Sequence, residues 1–183
     1  DIVRHAGEIG LPYLTLYAFS TENWTRPEDE INDLMALLRF YLKSEAAELL
    51  KNNVRLRVIG RRNRLSKDII DIIDTIEEQS KENTGLNLNI ALDYGSREEI
   101  LNAVNTAIKK GDTVTEDTFS QHLYTSDIPD PGLLVRTSGE YRLSNFLLWQ
   151  CAYSEFYFTN TLWPDFTKGE FDKAIESFKN RER

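Results

Sequence analysis

Apolar positions along the chain switch repeatedly between the spacing of a strand and that of a helix. Leu11 to Phe19 (LPYLTLYAF) is a near-continuous apolar, β-branched and aromatic run of strand length, and Gly10 before it should close a short helix. The run predicts a strand buried on both faces. Pro27 then opens a segment with Glu28, Asp29 and Glu30 in its first turn and Ile31, Leu34, Met35, Leu38, Tyr41 and Leu42 at helical spacing. That pattern predicts a helix from Pro27 to about Lys51. Leu37, Phe40, Ala46, Ala47, Leu49 and Leu50 widen its apolar side, so the helix should be buried over more than one face or border something apolar.

The alternation continues. Val54 to Ile59 reads as a short strand with one wetter face, carrying Arg55 and Arg57, and it ends at Gly60. Ser66 should cap a helix bearing Ile69, Ile70, Ile72, Ile73 and Ile76 that breaks at Asn83-Thr84-Gly85. Leu86, Leu88, Ile90 and Leu92 mark a third strand, Ser96 to Lys110 a helix ended by Gly111, and Thr115 to Tyr124 a shorter one. Leu133 to Val135 is a fourth strand; a polar loop, the apolar segment Phe146 to Phe158, and a terminal helix from about Lys168 to the end follow. Strands separated by helices imply crossover connections. The expected fold is therefore α/β: a single domain over 1–183, with a mostly parallel central sheet and helices on both faces.

Composition narrows the function. The 183 residues suit one domain of roughly 100–200 residues, and 40% hydrophobic residues suit an ordinary globular core. With 22 Lys+Arg against 30 Asp+Glu the net charge is −8, which argues against a nucleic-acid partner, since such a partner needs a basic face. An anionic ligand would have to be met by a local cluster. The one cysteine, Cys151, cannot form an intrachain disulfide, and no signal peptide or long apolar span is evident, so a cytoplasmic location is expected.

In open parallel sheets ligands sit outside the carboxyl ends of strands. The segments leaving those ends are Ser20 to Arg26, Gly60 to Arg64, Asp93 to Arg97 and Arg136 to Asn145. Arg136-Thr137-Ser138-Gly139-Glu140-Tyr141-Arg142-Leu143-Ser144 joins two guanidiniums, hydroxyls and a glycine, a set that suits a phosphate or diphosphate. A solvated loop with an internal Arg–Glu pair is the competing reading. Glu155 lies in an apolar and aromatic stretch and should have an Arg or a divalent metal as partner; for hard oxygen ligation the metal would be magnesium. Ser20, Glu22, Asn23, Trp24 and Arg26 are either functional loop residues or ordinary caps of the helix that follows.

Other chemistries lose ground. There is no Walker loop, no G-x-G-x-x-G and no G-x-S-x-G, and two histidines, His5 and His122, with one cysteine cannot build a Cys/His zinc site. His5 and His122 read as helix-face residues, Cys151 as a small core residue and Asp127 to Pro131 as a turn.

Leu14 to Pro27, the Arg136 to Ser144 cluster, and Asn145 to Gln150 with Ala152-Tyr153-Ser154-Glu155 closely resemble the cis-prenyltransferases, the bacterial undecaprenyl diphosphate synthases in particular. The similarity continues through Leu162-Trp163-Pro164-Asp165-Phe166 to Asn180-Arg181-Glu182-Arg183, so it covers essentially the whole chain. The all-helical trans-prenyltransferases match poorly, because their D-D-x-x-D motifs are absent. The resemblance implies repeated condensation of isopentenyl diphosphate onto farnesyl diphosphate with Mg2+, giving a long cis-polyprenyl diphosphate for the lipid carrier of cell-wall synthesis. It implies that Arg136, Arg142 and Ser144 hold isopentenyl diphosphate and that Glu155 takes part in magnesium binding. Ser20 and Asn23 would assist catalysis, and Trp24, Arg26 and Glu30 would bind substrate on a segment that closes over it. A hydrophobic tunnel beside the Pro27–Lys51 helix, a homodimer and peripheral membrane contact for product release complete the expectation.

The family's first motif, H-x-x-D-G-N-x-R-W, with its metal-binding aspartate, is expected upstream of Asp1, and an R-x-G segment beyond Arg183. The resemblance therefore implies a portion of a longer enzyme, with little or no prenyl transfer of its own. Two other classes stay in view: a non-catalytic accessory subunit of a prenyltransferase heteromer, and a phosphate-binding α/β module.

Overall fold

The computed structural model describes residues 1–181, so Glu182 and Arg183, the last positions of the similarity, lie outside the described residues. Val3–Gly95 forms one compact unit, and Asp1–Ile2 with Ser96–Arg183 the other. The α/β class with parallel strands stands, and the strands are distributed over two sheets.

In the Val3–Gly95 unit, α1 (Ile2–Glu8) ends where Gly10 turns at φ 73°, and Leu11 N–H returns to Ala6 O at 2.9 Å. Strands β1 (Tyr13–Ser20), β2 (Arg55–Ile59) and β3 (Asn87–Tyr94) form a parallel sheet in the order β1-β3-β2. Ile90 is the register partner of both Leu16 and Val58. With a neighbour on each side, β3 is the most deeply buried strand: Leu88, Ala91 and Leu92 are all core. The expectation for β1 needs correction. Only Phe19 of that strand is buried and Tyr13 is exposed, because β1 pairs along one edge alone among the described residues.

Helix α2 (Glu28–Lys51) also departs from expectation, since none of its residues is buried. It lays one stripe, Leu34, Met35, Leu38 and Leu42, against a core of Phe19, Val58, Leu65, Ile69, Ile73 and Leu92. Leu37, Phe40 and Tyr41 point away and are exposed. Helix α3 (Lys67–Ser80) supplies Ile69, Ile73 and Ile76 at spacings of four and three, and burying each stabilises the unit by about 1.5–3 kcal/mol. Ser66 precedes α3 in extended conformation, yet its hydroxyl accepts from Arg39 at 3.4 Å rather than capping the helix.

In the other unit, β4 (Leu133–Arg136) and β5 (Glu155–Phe158) pair in parallel, joined by a crossover with no helix in it. Helix α4 (Ser96–Lys110) buries Ala103 against Phe119 and Leu123. Of the expected 115–124 helix only α5 (Glu116–Ser120) forms, capped by Thr115 Oγ1, which accepts from Thr118 N–H at 3.2 Å. The apolar run 146–158 is mostly turn, with strand only at its end; Trp149 instead packs on Phe119 at 4.4 Å between ring centroids. The last helix, α6 (Lys168–Lys179), buries Phe171 and Ala174. Among the described residues no helix is long and apolar enough to cross a membrane.

Gly60 closes β2 at φ 118°, and a Cβ there would lie 2.1 Å from Leu92 O on the neighbouring strand. Neither the backbone nor that carbonyl can yield cheaply. Gly60→Ala is expected to lower the urea midpoint by an amount equivalent to more than ~2 kcal/mol, whereas Gly111→Ala, with open space for its Cβ, should cost only the positive-φ strain of ~1–2 kcal/mol.

Candidate functional site

Parallel pairing sends the segments after β1, β2 and β3 out of the same edge of the three-stranded sheet. After β1 the chain enters a 3-10 turn, Thr21–Thr25, which begins when Asn23 Oδ1 accepts from Ser20 N–H at 2.8 Å. Ser20 and Asn23 are thereby locked together, and the turn closes with Arg26 N–H on Asn23 O at 3.1 Å. Arg26 lies 3.6 Å from Glu30 one helical turn on, an exposed pair worth little in stability. Trp24 turns inward. Its ring meets Phe19 edge-on at 5.0 Å between centroids, Arg64 covers it at 4.5 Å, and its Nε1–H donates to Asp93 Oδ1 at 2.8 Å.

Asp93 is fully buried and sits at φ 45° at the end of β3. Besides Trp24 it accepts from Arg61 at 3.1 Å, and Arg61 N–H donates to Asp93 O at 3.2 Å. The five candidate residues of this unit, Ser20, Asn23, Trp24, Arg26 and Glu30, thus gather around one turn whose inner wall is Asp93 with Arg61 and Arg64.

In the second unit Arg136 ends β4, and its Nε is buried without a hydrogen-bond partner. The loop beyond it is anchored by Ser138 N–H to Thr161 O at 2.8 Å and Gly139 N–H to Thr159 O at 2.9 Å. Arg142 is exposed and pairs with Glu140, so the internal Arg–Glu contact foreseen as the competing reading is present. Ser144, Asn145 and Leu147 all have positive φ, at 49°, 63° and 44°. Such backbone is costly for non-glycine residues and is held by fixed partners. Here the partner is the start of α4: Asn145 O accepts from Ser96 N–H at 2.8 Å and its Oδ1 from Arg97 N–H at 2.9 Å, while Leu148 N–H donates to Ser96 Oγ at 3.0 Å. Asn145 therefore satisfies the first amides of α4 and fixes the backbone next to Ser144.

Glu155 opens β5 and takes the first of its two foreseen partners: its Oε2 accepts from Arg181, which also donates to Phe156 O at 2.9 Å. Among the described residues no three His, Cys, Asp or Glu side chains gather as a metal would require. One carboxylate held by a guanidinium does not fit a divalent-cation site, so these residues do not by themselves hold magnesium. Cys151 is buried, and burial pushes its thiol above the usual range, as a core residue requires.

Sequence reasoning missed the supporting side chains. Asp93 and Arg61 lay in segments flagged as strand ends without a role, and an acid directly after the apolar run of β3 was the available signal. Nothing in spacing marked Asn145 as a cap in trans, nor the buried Glu99, whose Oε1 accepts from Tyr124 N–H at 2.8 Å and Oε2 from Gln150 at 3.2 Å. Asn145→Ala removes the Arg97 acceptor and is expected to cost ~1–2 kcal/mol in urea unfolding, with Asn145→Gly, which tolerates the positive φ, less damaging.

Comparison with known proteins gives a consistent relationship. The prenyltransferase family described as "Putative undecaprenyl diphosphate synthase" matches residues 1–183. An isoprenyl transferase of Fusobacterium nucleatum is 55% identical over 99% of this chain and 79% of its own length. One from Aquifex pyrophilus is 52% identical over 100% of the chain and 80% of its own. Among solved structures, a "probable undecaprenyl diphosphate synthase" from Campylobacter jejuni superposes with a TM-score of 0.93 at 42% identity, covering 100% of this chain and 88% of that one. Lavandulyl diphosphate synthase from Lavandula x intermedia, solved with dimethylallyl diphosphate, also reaches 0.93 at 36% identity, over 100% of this chain and 82% of that one.

Proposed function

The chain belongs to the undecaprenyl diphosphate synthase family of prenyltransferases, and on that premise we propose that it condenses isopentenyl diphosphate repeatedly onto farnesyl diphosphate, yielding a long cis-polyprenyl diphosphate. Arg136 carries this reading. A buried guanidinium nitrogen without a hydrogen-bond partner is costly, and a diphosphate oxygen is an acceptor of matching charge and geometry. Arg142 would join it by exchanging Glu140 for the substrate, and Ser144, fixed by its neighbour Asn145, would supply a hydroxyl donor. Isopentenyl diphosphate is assigned to these three residues.

The allylic substrate is assigned to the other segment, with Trp24, Arg26 and Glu30 binding it and Ser20 and Asn23 assisting the reaction. Charge separates as the diphosphate leaves, and fixed donors and cations placed beforehand stabilise that charge without reorganising. A hydrophobic tunnel beside α2 for the growing hydrocarbon chain is part of the proposal, and the exposed Leu37, Phe40 and Tyr41 of that helix offer apolar surface that supports product release at a membrane surface. Exposed Tyr153, Leu162 and Trp163 supply apolar surface for a second copy of the chain, in keeping with a homodimer. Magnesium belongs to the same proposal, with Glu155 as one ligand once the ion takes the place of Arg181; no step of the condensation is assigned to it. A cytoplasmic enzyme serving the lipid carrier of cell-wall synthesis, with 1–183 as a single cis-prenyltransferase-like domain of it, completes the reading.

The test is incorporation of labelled isopentenyl diphosphate onto farnesyl diphosphate by the intact enzyme. Losing a charge-assisted donor pair costs about 1.5–3 kcal/mol, so Arg142→Ala is expected to raise KM for isopentenyl diphosphate roughly ten- to hundredfold with a smaller change in KM for farnesyl diphosphate. Unaltered kinetics in both Arg142→Ala and Arg136→Ala would remove the site assignment.

A further inference from the structure

Asp93 carries two costs at one position. A carboxylate with no exposed surface is expensive to desolvate, and its Oδ2 is buried without a hydrogen-bond partner. Its backbone at φ 45° is strained besides. An apolar residue would pack the end of β3 more cheaply, yet the carboxylate makes one contact that an apolar residue could not. Oδ1 receives Trp24 Nε1–H at 2.8 Å, with Arg61 at 3.1 Å compensating the charge.

Trp24 has few other ways to be oriented. Its edge-on contact with Phe19 and the Arg64 guanidinium over its face act on the ring without fixing rotation in the ring plane. A hydrogen bond to a buried, immobile acceptor does fix it. Because Trp24 sits in a turn locked at both ends by Asn23, the orientation of one indole sets that of the whole Ser20–Arg26 segment.

We propose that Asp93 is a positioning residue whose buried carboxylate holds the Trp24 indole, and through it the Ser20–Arg26 segment, in the arrangement that receives the allylic diphosphate. This rests on the assignment of Trp24 to substrate binding. Asp93 acts through Trp24 and touches no reacting atom.

The experiment is a double-mutant cycle in the intact enzyme, with KM for farnesyl diphosphate, kcat and urea stability read together. Trp24→Phe keeps an aromatic ring and loses the N–H. It is expected to raise KM about tenfold with kcat changed less, Asp93→Ala to do the same, and the double variant to remain near tenfold. A KM unchanged in Asp93→Ala while Trp24→Phe raises it overturns the role of Asp93 and leaves the substrate assignment standing. Single effects that multiply to about a hundredfold overturn it too, because Asp93 would then act independently of Trp24. A KM unchanged in Trp24→Phe overturns the substrate assignment, and this inference with it.

Should Asp93→Ala fail to fold, Asp93→Asn keeps Oδ1 as an acceptor and removes the charge, and is expected to raise KM about threefold. The chain has three tryptophans, so the Trp24 indole N–H resonance can be assigned by its loss in Trp24→Phe. In Asp93→Asn that N–H should exchange with solvent at least threefold faster than in the wild type. Equal exchange rates would show that Asp93 does not hold the indole and would overturn the proposal.

Discussion

Parallel pairing of β3 with a strand on each side is the constraint on which the Val3–Gly95 unit depends. Antiparallel neighbours would send the segments after Ser20 and Ile59 to the end of the sheet opposite the segment after Tyr94, and Trp24 could not meet Asp93. The alternation of short apolar runs with helices forces crossover connections, and crossovers force parallel strands. Hydrophobic burial fixes the register: a one-residue slip of β2 would turn Leu56 and Val58 out of the core and bring Arg57 in. Gly60 completes the constraint, because only a residue without a side chain lets β2 end so close to Leu92 O.

The second unit reaches a comparable result without a wide sheet. Its two strands are short, and its polar crossover would be mobile if nothing tied it down. The ties come from the beginning of α4, where unsatisfied amides need acceptors in any case. By meeting that need with Asn145, the fold obtains a capped helix and a rigid loop from one set of hydrogen bonds. Glu99 and Gln150 extend the same device deeper, joining α4 to the segments around Tyr124 and Thr125. Strain at Ser144, Asn145 and Leu147 is tolerable because three hydrogen bonds to the start of α4 hold this backbone in place.

Much of this was legible in the amino-acid order, for identifiable reasons. Period and punctuation place α3 and β2 closely, since Ile69, Ile73 and Ile76 or Leu56 and Val58 are local patterns with local causes. The same reasoning overstated the burial of β1 and α2, because an apolar run reports what a segment can bury and not what is present to cover it. It overstated α5 as well, where Thr115 starts a helix that lasts only five residues. Arg136, Arg142 and Ser144 could be singled out as a polar cluster between apolar flanks. Their supports could not, because Asn145 and Ser96 stand about 50 residues apart and a hydrogen bond in trans leaves no periodic trace.

The division between legible and hidden residues follows the kind of work each does. Residues that would meet an anion must carry charge or hydroxyls at exposed strand ends, and composition alone draws attention to them. Residues that hold those groups still are chosen for one geometric relation, and their types look ordinary: an Asp after a strand, an Asn in a loop. Their cost is what distinguishes them. Asp93 accepts burial and positive φ together, and Asn145 accepts positive φ in exchange for two amides. Where a chain bears two local penalties at one residue and the packing could be built without them, the reason lies in what that residue orients.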